Sequence, residues 1–237
     1  MSSSGPFDEE PAVWPSGSGQ LEELQRKLAL RWRSEPVWRP HPDRPPRVGA
    51  AFATTFRGLV GTGAACDPAW AAAVLCVKGA LVKSAVLTGR FDAPYVPGLL
   101  ALREGRLLQE AVLALGTPLD VLMVNATGRD HPRGAGLAIH LGAACDVPTI
   151  GVTDRPLVAT GPEAGTQRGA VAELRLGGEV VGYRVRTRVG VRSAVVHAGW
   201  RVDLDTACKL VLDATRGGRT PEPLRQARRL ARASRSN

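Results

Sequence analysis

Two short apolar runs, "LDVLMVN" (119–125) and "VPTIGVT" (147–153), flank the helix-like segment "GAGLAIHLGAACD" (134–146). Neither run alternates between polar and apolar residues, which is the mark of a strand covered on both faces. A strand, a helix and a second buried strand form a crossover unit, so this part of the chain predicts a sheet with helices on its faces. In such sheets ligands gather beyond the carboxyl ends of the parallel strands. Those ends are Asn125 and Asp154.

The rest of the sequence extends the pattern. "RVGAAFATTFRG", "AWAAAVLCV" and "ALVKSAVLTGR" are three apolar runs, and only Lys78 and Gly79 separate the last two, which predicts a tight hairpin. "GLLALREGRLLQEAVLAL" carries a helical stripe of Leu99, Leu102, Leu107, Ala111 and Leu115. Nearer the start, Leu21, Leu24 and Leu28 predict a helix with Ser16 or Ser18 as its cap. "EPVWRPHPDRPPR" reads as an extended connector, because proline suits neither helix nor inner strand. "AVAELRLGGEVVGYRVRTR" adds two strands about Gly177 and Gly178, and "DLDTACKLVLDATRG" a helix capped by Asp203 or Asp205. The expected fold class is therefore mixed α/β, an antiparallel opening followed by β-α-β-α units. Three segments are expected: a disordered stretch over 1–19, a folded domain over 20–217, and a basic helix or tail over 218–237.

The 237-residue chain carries a formal charge of +9, with arginine as the dominant cation. That balance favours an anionic partner, nucleic acid first. Cys66, Cys76, Cys145 and Cys208 stand singly in apolar surroundings and read as reduced core residues, so neither disulfides nor a zinc site is expected. "MSSSGPFDEEPAVW" has no basic stretch followed by an apolar one, and no run is long enough to span a bilayer. A cytoplasmic monomer without membrane contact is the expectation.

Metal-dependent phosphodiester hydrolysis needs two or three convergent carboxylates, since hard divalent cations take oxygen ligands. The acids expected near the strand ends are Asp154 and Glu104, a thin set. His140, on an apolar helix, reads as a hydrogen-bonded core histidine. Asp130 reads as a solvated loop residue and Asp154 as a turn former before Arg155-Pro156. "GLVGTGAAC" lacks the Gly-Lys-Ser/Thr of a phosphate cradle. The arginines after Arg216 read as phosphate contacts in preference to a solvated face.

"APYVPGLLALREG", "GRDHPRGAGLAIHLG", "DVPTIGV" and "DLDTACKLVLDATRGGRTPEPLRQA" together resemble the endonuclease V family, from about Leu21 to Ala227. The resemblance implies a ribonuclease H-like mixed sheet with helices on both faces. It also implies magnesium-dependent cutting of DNA or RNA near a deaminated adenine. The family's base-prying wedge corresponds to Pro94, Tyr95, Val96 and Pro97, its catalytic glutamate to Glu104, and its His-Pro-Arg to His131, Pro132 and Arg133. Prolines stiffen such a loop so that an aromatic ring can stack where a base was. The histidine and arginine are expected to contact phosphate or base. Glu104 is then the one retained metal-ligand candidate.

Four family positions are replaced: metal-binding aspartates by Ala51 and Asn125, a lysine by Asp154, and a histidine by Trp200. His197, a few residues earlier, restores the histidine only if the register shifts. Trp200 reads as packing, with base stacking as the other use. Ala126 puts a methyl where the family has glycine, which crowds a base pocket. Two function classes follow. One is a nucleic-acid-binding protein with a degenerate metal site that holds Mg2+ weakly; the other is a working endonuclease with ligands relocated to Asp154, Glu104 and Asp130. An interaction module retaining only the fold is the weaker third.

Overall fold

The computed structural model describes residues 14–235; most of the expected disordered stretch, and the last two residues, lie outside that range. Thirteen elements follow in order: α1 (Ser18–Trp32), β1 (Arg47–Thr55), β2 (Pro68–Val77), β3 (Ala80–Arg90), α2 (Leu100–Leu113), β4 (Val121–Val124), α3 (Leu137–Cys145), β5 (Thr149–Thr153), β6 (Val171–Leu176), β7 (Glu179–Val185), β8 (Ala194–Ala198), α4 (Leu204–Ala214) and α5 (Glu222–Ser234). The eight strands form one sheet in the order β3-β2-β1-β4-β5-β8-β7-β6. β1, β4 and β5 are parallel at its centre, and all other pairings are antiparallel.

Strand alternation sorts the core into two layers. Ala51 and Ala53 of β1, with Leu122 and Val124 of β4, face α2 and α3. Ala50 and Phe52, with Val121 and Met123, face α4 and α5. Alanines on the first face let the helices lie close. At Gly89 a Cβ would come within 2.8 Å of Leu107. The β2–β3 hairpin turns at Lys78 (φ 52°) and Gly79 (φ 79°), the left-handed pair that a two-residue hairpin requires. α5 buries Pro223, Leu224, Ala227 and Ala231 against β1 and β2, leaving Arg225 and Arg229 exposed while Arg228 and Arg232 lie over the Phe52 ring.

Several local expectations are corrected. α1 has Gly17 at its N-cap, with no side-chain capping hydrogen bond; the Ser16 hydroxyl donates to Gln20 Oε1 (3.2 Å) instead. α4 uses Asp203, whose carboxylate accepts from Thr206 N at 2.8 Å. On α2 the buried face includes Leu107 and Ala111 of the expected stripe, is widened by Ala101, Arg103, Gly105, Leu108 and Val112, and Leu99 and the buried Leu115 stand just outside the helix. Cys66 is exposed at φ 67°; the four thiols are otherwise free as expected. His140 is in the core, but it stacks on Trp14 (centroids 4.1 Å apart) and neither ring nitrogen has a hydrogen-bond partner among the described residues. No described helix is long and apolar enough to cross a membrane.

Candidate functional site

A cleft of about 490 Å³ opens beyond the carboxyl ends of β1, β4 and β5, where the parallel order of the strands places it. Glu104, Asn125, Ala126, Tyr95, His131 and Asp154 line it, together with Gln25, Phe52 and Arg155 from distant parts of the chain. Ala51 and Trp200 are not brought to its walls. The Ala51 methyl is wholly buried among the α2-side core residues and pairs in register with Val124. Trp200 is 1% exposed and packs with Leu28, Ala135 and Ile139 between α1 and α3.

The loop bearing Tyr95 is held at both ends. At its start, buried Arg103 donates to Ala93 O (2.7 Å), lies over the Phe91 ring and pairs with Asp67 at 3.6 Å. At its end, three donors converge on the Gly98 carbonyl: Gln25 Nε2 (3.2 Å), His131 Nε2 (3.0 Å) and Arg133 Nη2 (2.8 Å). Arg133 Nε also donates to Gln25 Oε1 at 2.6 Å. His131 Nδ1 accepts from Arg133 N (3.2 Å), so the proton sits on Nε2 and the ring is the neutral tautomer. Burial lowers this histidine to about 4. The His-Pro-Arg triplet thus clamps the loop, and Tyr95 (43% exposed) and Val96 stand free at the tip.

The acids divide by what surrounds them. Asp130 is not solvated; it is 0% exposed and accepts from Leu157 N (2.7 Å), Val158 N (2.9 Å) and Ala159 N (2.7 Å). Its carboxylate pins the loop after β5 and faces His197 Nδ1 at 4.0 Å. His197 is itself buried, within 2.9 Å of Thr153 Oγ1, and does not reach the cleft wall. Asp154 is exposed and accepts from Arg219 Nη1 at 2.7 Å, which ties the α4–α5 link to the end of β5. Glu104 faces the cleft from α2, and desolvation raises it to about 7 against the opposing pull of Arg103. Among the described residues no group of three or more His, Cys, Asp or Glu is arranged to hold a metal ion.

A carboxylate raised this far destabilises the fold when ionised. Glu104→Gln is therefore expected to stabilise the protein at pH 8.5 by about 1–3 kcal/mol, with the difference vanishing below pH 5. Urea unfolding at the two pH values measures it, and equal stabilities at pH 8.5 would show that Glu104 is ordinarily solvated.

A family profile described as Endonuclease V matches residues 58–229. The chain belongs to the endonuclease V family. The Endonuclease V of Methanopyrus kandleri is 41% identical over 225 residues, covering 93% of this chain and 91% of that one. The crystal structure of the Streptomyces avermitilis Endonuclease V superposes with a TM-score of 0.80 at 35% identity, covering 94% of this chain and 95% of that one. A Ciona intestinalis Endonuclease V shares the fold (TM-score 0.74, 22% identity, 92% and 98% coverage); it was solved in complex with a 24mer DNA containing an inosine followed by a ribo-adenosine. The mixed sheet with helices on both faces is thus the ribonuclease H-like fold that the endonuclease V resemblance implied. The profile match begins after β1, so it takes in the Tyr95 loop, Glu104 and Asn125 but not Ala51.

Proposed function

We propose that this endonuclease V family member binds nucleic acid strands carrying deaminated or distorted bases, and that its metal-dependent cleavage is lost or severely impaired. The donor set of the cleft carries this reading. A magnesium ion asks for several oxygen ligands bearing negative charge. Glu104 is held near 7, position 125 offers a neutral amide, and the methyl at position 51 is buried in the core. Those residues do not fit the ion.

The relocated-ligand reading finds less support. Asp130 has its oxygens occupied by three backbone donors, and Asp154 is neutralised by Arg219. Binding, in contrast, keeps its parts: a cleft open at the sheet edge, a tyrosine presented on a clamped loop, and a net charge of +9. Base–aromatic stacking contributes about 1–3 kcal/mol per base, so Tyr95→Ala is expected to weaken binding by roughly tenfold or more.

The test is a titration with a labelled inosine-containing oligonucleotide and its adenosine control, in magnesium and in manganese. Binding without nicking, weakened by Tyr95→Ala, is the expected result. Specific nicking that disappears in Glu104→Gln would overturn the loss of cleavage, and no binding even at low salt would overturn the function itself.

A further inference from the structure

Helix α5 brings two guanidinium groups onto one aromatic ring at the rim of the cleft. Arg228 Cζ lies 5.0 Å from the Phe52 ring centroid and Arg232 Cζ 5.9 Å from it. Phe52 also lines the cleft, while Arg228 and Arg232 line a separate hollow on α5, so the ring is the element the two share. The arginines are one helical turn apart, a spacing at which like charges destabilise a helix. The neighbouring arginines have partners of their own: Arg225 pairs with Glu222 and Arg219 with Asp154, while Arg229 donates to Gln226 and Arg235 to Thr54 and the Thr55 carbonyl. Among the described residues no carboxylate lies within ion-pair distance of Arg228 or Arg232, and Arg228 Nε is buried without a hydrogen-bond partner. Burial, and then the charge of Arg232, hold the Arg228 guanidinium below its ordinary value, while Asp154 pulls the other way. Two like charges converging on one ring, Arg228 half-buried and Arg232 exposed, form an incomplete arrangement that an anion between them would complete.

We propose that Arg228 and Arg232, stacked on Phe52, form a metal-free seat for a phosphodiester group of the bound strand. The inference rests on the nucleic-acid reading above and adds where the backbone is held and what neutralises it. An anionic cleft floor repels phosphate unless a cation intervenes. Here position 125 on the floor is a neutral amide and the Asp154 carboxylate on the wall is paired with Arg219, so less negative charge opposes an approaching phosphate. Phe52 fixes the planes of the guanidinium groups, which present forked donors well matched to phosphate oxygens. The positive charge thus lies at the rim, on α5, and not on the floor between the strands.

Fluorescence anisotropy on the full chain, with a single-stranded inosine-containing oligonucleotide in EDTA and in magnesium, tests the seat. The wild-type protein is expected to bind equally in both. Arg228→Gln/Arg232→Gln is expected to bind tenfold or more weakly at low salt. Its slope of log Kd against log salt is expected to fall by about 0.7 for each phosphate no longer neutralised. Arg225→Gln/Arg229→Gln removes the same charge from the same helix and is expected to weaken binding less than threefold. Circular dichroism confirms folding, and Arg232→Gln alone, on the more exposed turn, serves if the double variant does not fold. Equal weakening in the two double variants would reduce the effect to net charge and overturn the seat. So would binding that requires magnesium, or wild-type binding unchanged by Arg228→Gln/Arg232→Gln; in the last case the nucleic-acid function stands. If the wild type binds no oligonucleotide, both readings fail together.

Discussion

Returning carboxylates to positions 51 and 125 is expected to create magnesium binding that the native chain lacks at millimolar concentration. Register supports the pairing: Ala51 lies opposite Val124 on the neighbouring parallel strand, one residue before Asn125, and both strands end at the cleft that Glu104 faces. Alone, an aspartate at the wholly buried position 51 is expected to destabilise the fold by several kcal/mol, because a desolvated charge without a partner is unfavourable. Magnesium then becomes the missing partner. A ligand that binds the native state stabilises it by RT ln(1 + [L]/Kd), so about 10 mM magnesium with a Kd near 0.1 mM returns about 2.7 kcal/mol. Thermal unfolding of Ala51→Asp/Asn125→Asp should therefore rise by roughly 5–10 °C on adding magnesium, at about 2–4 °C per kcal/mol for a chain of this size. The wild-type curve should not move. A magnesium-dependent rise in the wild type would mean that its own donors suffice, and the proposed loss of cleavage would fall with it. Bound metal supplies several kcal/mol of transition-state stabilisation, and each step of about 1.36 kcal/mol is a factor of ten. Nicking of an inosine-containing strand should accordingly be several orders of magnitude faster in any variant that recovers the ion together with the rest of the site.

The parts of this architecture that were legible in the sequence are those with one dominant physical signal. β4 is wholly apolar and β5, Thr-Ile-Gly-Val-Thr, carries no alternation, as a strand covered on both faces should read, and their ends do mark the cleft. The hairpin at Lys78-Gly79 was legible because two left-handed residues leave few alternatives. β8 was missed: "AVVHA" is buried throughout, yet its histidine and the glycine after it break an otherwise apolar run. The stripe on α2 marked the correct side, with Leu107, Ala111 and Leu115 buried, but the face is wider than the stripe: Ala101 and Gly105 join it, and Arg103 is buried with its bonds to Ala93 and Asp67. No periodicity reveals such a residue. At the cleft, the strand-end residues, Arg155 beside them and Tyr95 could be placed from the sequence, whereas Phe52 and Gln25 arrive by topology alone. Asp130 looked solvated because a loop acid normally is; three backbone donors from a segment 27 to 29 residues away make it structural.

Acid should unfold this protein well above the pH at which carboxylates alone would do so. His131 is held near 4 and His140 near 3 by burial, and burial also keeps His197 well below 6.5 despite the Asp130 carboxylate beside it. A histidine depressed in the native state contributes stability that is complete above its unfolded value of about 6.5 and drains away as pH falls toward the folded value. Over that interval each unfolded histidine takes up a proton that the native one refuses. Glu104 works in the opposite direction. Raised to about 7 in the native state, it favours folding below its unfolded value of 4.5, and that contribution is lost as pH rises through 7. Between about pH 6.5 and 5, unfolding therefore binds three protons at the histidines and releases one at Glu104. At about 1.4 kcal/mol per proton per pH unit, stability should fall by about 2–4 kcal/mol between pH 7 and pH 5. Urea midpoints across this range measure the slope. Two variants assign it: Glu104→Gln removes the compensating proton and should steepen the loss, and His140→Phe, at a site whose ring makes a stacking contact and no hydrogen bond, should flatten it. Stability that is level from pH 7 to pH 5 would mean that the three rings are hydrated in solution, and the clamp at Gly98 would lose its buried neutral histidine.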